Sequence, residues 1–244
     1  MNNLKNNNKK RLGIIQSRGL GDLVIALPIA RWYWNQGWDI YWPIDEQFLH
    51  DMQEGAPWVH WIPMPVDPQG RYFYDVPVER LRNLKVDETL CLYQHLTGHR
   101  FSEERYFQYT SFDQYKYIRA GVPFLEKWNL APCITRCPDR EQKLKAQVVT
   151  NPLYVVLHLE GSTVRATYDP QIIPPEWQCI EITKTPGYTL WDWLGVIEGA
   201  QSIVCVDSVY ANLIDQLALG TDRYFIARSH IGLTPVQGQD WTWL

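Results

Sequence analysis

The chain alternates short apolar runs with small-residue turns and longer apolar stretches, and this pattern predicts its strands and helices. Residues 12–16 form an apolar run that ends in the sequence SRGLGD, after which a long apolar stretch begins. We interpret this order as a strand, a glycine-containing loop at 17–22 and a helix that reaches residue 38. Pro28 lies inside the predicted helix, so it either kinks the helix or marks a late helix start. Residues 39–42 predict a second strand, which completes a βαβ unit.

The second half of the chain repeats the order of strand, small-residue loop and helix. Residues 154–158 predict a buried strand that leads into the loop EGST at 160–163. Residues 202–206 predict a further strand, and Asp207 and Ser208 stand at its carboxyl end. The other elements predicted for this half are a strand at 179–183, a helix at 190–200, a helix at 211–219 and a strand at 224–227. The two halves together predict an α/β protein.

The middle of the chain is rich in proline and aromatic residues. Residues 43–77 suit short strands and loops, and residues 101–121 predict an aromatic-rich helix. Residues 122–152 contain four prolines and a charged stretch, a composition typical of an interdomain connection. We therefore expect a disordered tail at 1–10, an N-terminal domain at 11–145 and a C-terminal domain at 146–244.

Composition places the chain among ordinary globular proteins. It has 244 residues, of which 45% are hydrophobic, and a formal net charge of −4, which together exclude wholesale disorder. The mild acidity argues against a protein that coats nucleic acid. The sequence lacks an apolar run of membrane-spanning length, and its polar first residues are not followed by the longer apolar region of a secretory signal. We therefore expect a cytoplasmic protein without a transmembrane segment.

The spacing of cysteine and histidine residues does not indicate a metal site. The five cysteines are an odd, sparse set, which suits reduced thiols better than a disulfide framework. Cys133 and Cys137 have no second pair, and His95 and His99 lack the glutamate of a metalloprotease helix. We therefore expect no bound metal.

The loop at 17–22 is the first candidate for chemistry. Gly19 and Gly21 lack a Cβ atom, so the backbone there can approach a ligand closely. Asp22 follows at the start of the predicted helix, where an aspartate commonly caps the helix. The same carboxylate can instead act as a general base aimed into a cleft. The sequence RGLGD matches neither a dinucleotide fingerprint nor a P-loop, so both interpretations stay open.

Two further loops are expected at the carboxyl ends of strands, where open α/β sheets bind their ligands. Gly161, Ser162 and Thr163 offer N–H groups and hydroxyls, and Arg165 adds a fixed positive charge. Such a loop can hold a diphosphate or be a plain turn with a surface arginine. In the loop at 207–212, an aspartate and a serine can cap a helix or bind the hydroxyl or phosphate groups of a ligand.

Several of these segments resemble the heptosyltransferase-like glycosyltransferases of family nine. Residues 18–30 resemble the opening loop and first helix of that family, with an arginine, then Gly-Asp, then an apolar helix that carries a proline. Residues 155–162 resemble its strand that ends in His-x-Gly, and residues 190–208 resemble its helix and the strand that ends in Asp-Ser/Thr-Gly. The resemblance implies a GT-B architecture, in which two Rossmann-like domains face a cleft. The N-terminal domain would bind the acceptor and the C-terminal domain the nucleotide sugar.

The resemblance also implies an inverting, metal-independent transfer in which Asp22 is the general base. The nucleoside-diphosphate sugar is a substrate, and no other cofactor is implied. The residues implied for donor binding are Gly19, Gly21, Gly161, Ser162, Thr163, Arg165, Asp207, Ser208 and Asn212. The residues that we expect to bind the acceptor are Arg18, Trp42, Trp61 and His95, the last three from an aromatic-rich N-terminal half.

The chain departs from the family pattern at the donor side. Val209 and Asn212 stand where the family has glycine and, slightly later, histidine. The region between residues 175 and 190 is short, which predicts a reduced C-terminal domain. These departures leave a non-catalytic nucleotide- or sugar-binding module of the same fold as one alternative.

The acceptor stays open at this stage. A saccharide or lipid-linked glycan is the acceptor that the family implies. The alternative is a modified base in DNA, as for a viral enzyme, which requires a basic track and stacking aromatic side chains. The candidates for that track are Arg71, Arg80, Arg82, Lys85, Arg100 and Arg105. Acidic residues are interleaved with them, so a solvated mixed-charge surface is the simpler interpretation.

Overall fold

The computed structural model describes residues 9–65, 69–93, 110–162, 164–228 and 234–244. The first of two sheets lies in the N-terminal half and has the strand order β3-β2-β1-β4, with all strands parallel. Its strands are β1 (Arg11–Ile15), β2 (Asp39–Asp45), β3 (His60–Met64) and β4 (Glu88–Cys91). The strand predicted at 39–42 is therefore longer than the sequence indicated.

The second sheet lies in the C-terminal half and is also parallel, in the order β6-β5-β7-β8-β9. Its strands are β5 (Tyr154–His158), β6 (Gln178–Glu181), β7 (Ser202–Val206), β8 (Asp222–Ile226) and β9 (Thr242–Trp243). Every residue of β7 is buried. Parallel strands that are covered on both faces read as continuous apolar runs, which is why the sequence predicted β5, β6, β7 and β8. The short, exposed strand β9 was not predicted.

Seven α-helices occur in the described residues. They are α1 (Leu20–Asn35), α2 (Leu49–Gly55), α3 (Asp75–Asn83), α4 (Phe112–Ala120), α5 (Pro138–Val148), α6 (Leu194–Glu198) and α7 (Val209–Gln216). Helix α1 begins at Leu20 and continues through Pro28, so the late start considered for it is wrong. Residues 122–152 are not a plain connection, because they contain α5 and a 3-10 helix at Phe124–Trp128.

The two sheets share one hydrophobic core. Side chains from both halves belong to a single cluster of buried residues, which includes Ile14 and Leu27 of the first half and Leu213 and Phe225 of the second. Helix α1 packs against α7 across the seam between the halves. Residues 23–30 of α1 are all buried, as expected of a helix enclosed on every side. The division into two domains at residue 145 stays a prediction, and the two halves pack directly together.

The last described segment returns to the middle of the chain. Asp215 of α7 accepts hydrogen bonds from the backbone N–H groups of Gly238 and Gln239 and from the indole N–H groups of Trp128 and Trp241, over 2.9–3.2 Å. A second anchor is the buried ion pair between Lys127 Nζ and Asp113 Oδ2, which are 2.8 Å apart. Both anchors hold residues 236–241 against α4 and α7.

Candidate functional site

The site lies where strand order reverses in both sheets. Strand β1 has β2 on one side and β4 on the other, and β5 likewise lies between β6 and β7. At such points the loops after neighbouring strands run in opposite directions and leave a crevice. One pocket of about 430 Å³ is lined by residues that follow strands of both sheets. Its lining includes Arg18, Gly19, Gly21, Asp22, Phe48, Phe112, His158, Glu160, Gly161, Ser162, Asp207, Ser208, Asn212 and Arg228.

Asp22 lies in the first turn of α1 and faces this pocket. The N-cap residue of α1 is Gly19, and no side chain caps the helix, so the capping interpretation of Asp22 is wrong. The carboxylate is about one-third exposed and pairs with Lys116 of α4, whose Nζ lies 2.9 Å from Asp22 Oδ1. Lys116 is itself buried and donates to Gln16 Oε1 at 2.7 Å. The pair fixes the position of a carboxylate that remains accessible from the pocket.

Gly19 and Gly21, both in the first loop, lie where neighbouring groups approach the backbone closely. Gly19 has φ of +79°, and a Cβ atom there would lie only 2.4 Å from Asp22 Oδ2. The carboxylate can fold back over the start of α1 only because this position lacks a side chain. A Cβ atom on Gly21 would lie 3.6 Å from the Val209 backbone and 3.2 Å from the Asn212 amide nitrogen. Gly21 thus allows the N-terminal ends of α1 and α7 to meet at the pocket, where helix dipoles favour an anion.

Ser208 and His158 form the part of the wall that lies between β5 and β7. Ser208 Oγ lies 2.9 Å from His158 Nδ1, and the imidazole ring packs on Tyr210 with ring centres 4.7 Å apart. Burial lowers the pKa of His158 from 6.5 to about 4. The ring is therefore neutral near pH 7 and forms one hydrogen bond with the serine hydroxyl.

Asp207 is a buried carboxylate with spare hydrogen-bonding capacity. Asp207 is 3% exposed, and its Oδ2 has no hydrogen-bond partner among the described residues. Burial raises its pKa, and the positive charge of Arg228 opposes that effect. Arg228 Nη2 lies 4.0 Å from Asp207 Oδ2, and Nη1 of the same guanidinium donates to Ser162 Oγ. Asp207 lines the pocket, so a buried carboxylate with an unused hydrogen-bond acceptor forms part of its wall.

Arg18 and Arg165 lie in different environments from each other. Arg18 lines the N-terminal side of the pocket, where Nε lies 3.5 Å from Asp45 Oδ2 and the guanidinium covers the Tyr72 ring. Arg165 is outside the pocket lining. Its side chain is 60% exposed and pairs with Glu181 at 2.6 Å. The structure therefore does not bring Arg165 to the other donor-binding candidates.

The two tryptophans expected at the acceptor are core residues, and this expectation needs correction. Trp42 is fully buried and donates from Nε1 to the Gln16 carbonyl at 2.9 Å. Trp61 is 8% exposed and donates to the Ala56 carbonyl at 3.0 Å. Their indole rings pack against each other in the first half, so neither lines the pocket. The aromatic side chains that do line it are Phe48 and Phe112. His95 and Thr163 lie outside the described residues.

Lys116, His158 and Arg228 are charged or titratable residues of the site that the sequence did not indicate. His158 and Arg228 follow or end strands whose carboxyl ends meet at the pocket, a signal present in the sequence. Lys116 reaches Asp22 only through the packing of α4 against α1, which no local pattern indicates.

A second pocket of about 390 Å³ continues from the first. Both pockets share the side chains of Phe48, His158 and Glu160. The second pocket then extends past Asp51 and Tyr188, and its other lining includes Thr183, Lys184, Thr185 and Trp193. The continuous space suits an extended ligand with one end in each pocket.

Two general features of the described residues also bear on the site. They contain no cluster of three or more histidine, cysteine, aspartate or glutamate side chains that could hold a metal ion. Within the same residues, no helix has the length and apolar character needed to cross a membrane.

Comparison with known proteins finds similarity in structure alone. No protein-family model matches the sequence, and no curated protein matches it significantly. A family nine glycosyl transferase from Veillonella parvula has a TM-score of 0.57 and 13% identity, over 96% of this chain and 86% of that one. Heptosyltransferase TibC in complex with ADP-D-β-D-heptose has a TM-score of 0.54 and 12% identity, over 97% of this chain and 62% of that one. E. coli heptosyltransferase WaaC with ADP has a TM-score of 0.50 and 14% identity, over 96% and 90%. The chain therefore has the fold of these glycosyltransferases.

Proposed function

We propose that the protein transfers a sugar from a nucleoside-diphosphate sugar to an acceptor hydroxyl, with inversion and without a metal ion. The observation that carries the proposal is the position of Asp22. It faces, across one pocket, a wall built from Ser208, the buried Asp207 carboxylate and the N-terminal end of α7. Such a wall suits the hydroxyl and phosphate groups of a donor. Solved structures of the same fold include one with ADP and one with ADP-D-β-D-heptose, which supports a nucleotide sugar as the donor.

In this mechanism Asp22 takes the proton of the acceptor hydroxyl. The acceptor oxygen then forms a bond to the anomeric carbon of the donor sugar, while the bond from that carbon to the diphosphate oxygen breaks. The electron pair of the broken bond stays on the diphosphate, which leaves as the nucleoside diphosphate. Because attack and departure occur on opposite faces in one displacement, the anomeric configuration inverts. The Lys116 ion pair keeps the carboxylate of Asp22 in place for the proton transfer.

The donor would extend through both pockets. Its diphosphate and sugar would lie in the first pocket, beside Ser208 and Asp207. The nucleoside would occupy the second pocket, whose lining includes the aromatic ring of Tyr188 and the hydroxyl groups of Thr183 and Thr185. Stacking on an aromatic ring and hydrogen bonds from hydroxyl groups are common ways to hold a nucleoside.

The test is the substitution Asp22→Asn, measured with a panel of nucleotide sugars. The amide keeps the shape of the side chain but accepts a proton poorly, so we expect kcat to fall by about 10²–10⁴-fold. Donor affinity should stay within about threefold, because the carboxylate acts on the acceptor. Asp39→Asn is the matched control, since Asp39 also pairs with a lysine but does not line the pocket.

One result would contradict this proposal, and another would identify the acceptor. Wild-type protein that binds nucleotides but transfers or hydrolyses none of the donors would be the non-catalytic module. Salt-dependent binding of duplex DNA at low salt would instead favour the DNA acceptor. Arg71, Arg80, Arg82 and Lys85 of the basic track are exposed, whereas Arg100 and Arg105 lie outside the described residues.

A further inference from the structure

We propose that Arg228 binds the diphosphate of the donor and stabilises the negative charge that develops there as the sugar leaves. This inference rests on the proposed function and names a residue for it. Arg228 follows β8, which is hydrogen-bonded to β7 along its length. Because parallel neighbouring strands end at the same edge, Arg228 lies beside Asp207 and Ser208, which follow β7.

The guanidinium of Arg228 has hydrogen-bonding capacity that the described residues do not use. Among the described residues, its hydrogen bond goes to Ser162 Oγ, from Nη1. The nearest carboxylate oxygen, Asp207 Oδ2, is 4.0 Å from Nη2, which is too far for a hydrogen bond. An arginine fork with free N–H groups at a pocket wall matches the paired oxygens of a phosphate.

Three other cations at or beside the first pocket form ion pairs of their own. Lys116 pairs with Asp22 and donates to Gln16. Arg18 pairs with Asp45 on the opposite wall. Arg165 points away and pairs with Glu181. Of the arginine and lysine side chains that the described pocket lining contains, Arg228 is the one on the wall that carries the N-terminal end of α7.

The loop after β5 is shaped around Arg228. A Cβ atom on Gly161 would lie 3.2 Å from Arg228 Cδ, so glycine leaves room for the arginine stem. Gly161 also donates from its backbone N–H to the Val164 carbonyl at 2.8 Å, which closes a tight turn. This turn brings Arg165 back opposite Glu160, away from the pocket. The geometry thus assigns to Arg228 the phosphate-binding role that the sequence suggested for Arg165.

The buried Asp207 carboxylate complements this assignment. Its Oδ2 lies 4.0 Å from Arg228 Nη2, which is close enough to attract the positive charge but too far to accept a hydrogen bond from it. Because Asp207 lines the pocket, its carboxylate would accept a hydrogen bond from a sugar hydroxyl next to the diphosphate. Phosphate and sugar would thus be held by adjacent groups of opposite charge.

The experiment compares nucleoside diphosphates with the matching nucleosides in a binding titration. The probes are ADP and adenosine, GDP and guanosine, and UDP and uridine, and the pair that binds most tightly to wild-type protein is used. We expect Arg228→Ala to weaken diphosphate binding by about 10- to 100-fold, the loss typical of charge-assisted hydrogen bonds. Arg228→Lys should retain part of the affinity, and the affinity for the nucleoside should not change. Thermal unfolding of each variant checks that it is folded.

Arg165→Ala is the matched control, because it removes the same charge from the exposed side of the loop after β5 and should change the affinity less than twofold. Equal diphosphate binding by Arg228→Ala and wild-type protein would overturn the inference, and so would a loss confined to Arg165→Ala. Either result leaves the Asp22→Asn test untouched. Diphosphate binding that depends on Arg228 in a protein without transfer activity would instead support the inference and contradict the proposed function.

Discussion

At the residue scale, His158 links the pocket to protein stability. Its imidazole ring is held neutral by burial, between Ser208 Oγ and the ring of Tyr210. The folded protein releases the proton of His158 with a pKa of about 4, compared with the ordinary value of 6.5. Below pH 6.5 the unfolded chain therefore binds this proton while the folded protein does not.

We expect the free energy of unfolding to fall as the pH is lowered from about 6.5 to about 4, because protonation favours the unfolded chain across that window. Above pH 6.5 both states hold the neutral ring, so this contribution to the pH dependence is absent. His158→Gln cannot take up the proton and should have a weaker pH dependence than wild-type protein between those limits. Urea denaturation at pH 7.5, 6 and 5 measures the difference. If the free energy of unfolding changes equally with pH in the two proteins, His158 is not the group responsible.

The candidate site could be predicted from sequence only where a residue belongs to a local pattern. Asp22 and Asp207 were found because each lies where the chain passes from a strand into a helix, Asp22 in the first turn of α1 and Asp207 just before α7. The Lys116–Asp22 pair joins residues far apart in the chain, and nothing near either residue indicates the other. The error at Trp42 has a related cause, since an aromatic residue in a strand suits a core or a cleft equally, and its contact with the Gln16 carbonyl decides between them.

At the element scale, the start of α1 determines where the Asp22 carboxylate can lie. We expect Gly19→Ala to lower transfer activity by about 10- to 100-fold, because the added methyl group would displace the carboxylate from its position over the helix start. Gly37→Ala is the matched control. Gly37 has a similar backbone with φ of +91°, but a Cβ atom there would meet nothing within 4 Å.

Both substitutions strain a left-handed backbone and should lower the free energy of unfolding by about 1–2 kcal/mol. Only Gly19→Ala should also lower activity, when the two variants are assayed below their unfolding temperatures. Equal activity of the two variants would mean that the carboxylate does not depend on the space above Gly19.

The order of elements was largely predictable, and their limits were less so. Parallel strands such as β7 are apolar throughout and therefore easy to recognise. Helix α5 was missed within a proline-rich segment that was interpreted as a connection. Pro138 occupies the first helical position, where its missing N–H costs no hydrogen bond, so this proline starts the helix.

At the scale of the whole molecule, the way the halves are joined lay beyond the sequence pattern. The pattern predicted an α/β unit in each half, whereas the structure adds a shared core and a C-terminal segment anchored by Asp215. The residues joined by the Asp215 hydrogen bonds are at least 23 positions apart in the chain. Tertiary packing, and not a sequence motif, brings them together. A periodicity of two or 3.6 residues carries no information about such pairs.

The shared core predicts that the two halves unfold together. Because side chains of both sheets belong to one cluster, we expect a single cooperative transition in urea, seen alike by tryptophan fluorescence and far-UV circular dichroism.

Asp215 is 1% exposed and accepts hydrogen bonds from Trp128, Gly238, Gln239 and Trp241. Asp215→Asn turns this carboxylate into an amide that cannot satisfy all of these donors. The free energy of unfolding should fall by about 2–4 kcal/mol while the transition stays single. Asp222→Asn, at an exposed position at the start of β8, should leave the free energy of unfolding within about 0.5 kcal/mol of wild type. Two separate transitions in wild-type protein would mean that the halves are independent domains, and the Asp215 anchor would then stabilise only the second of them.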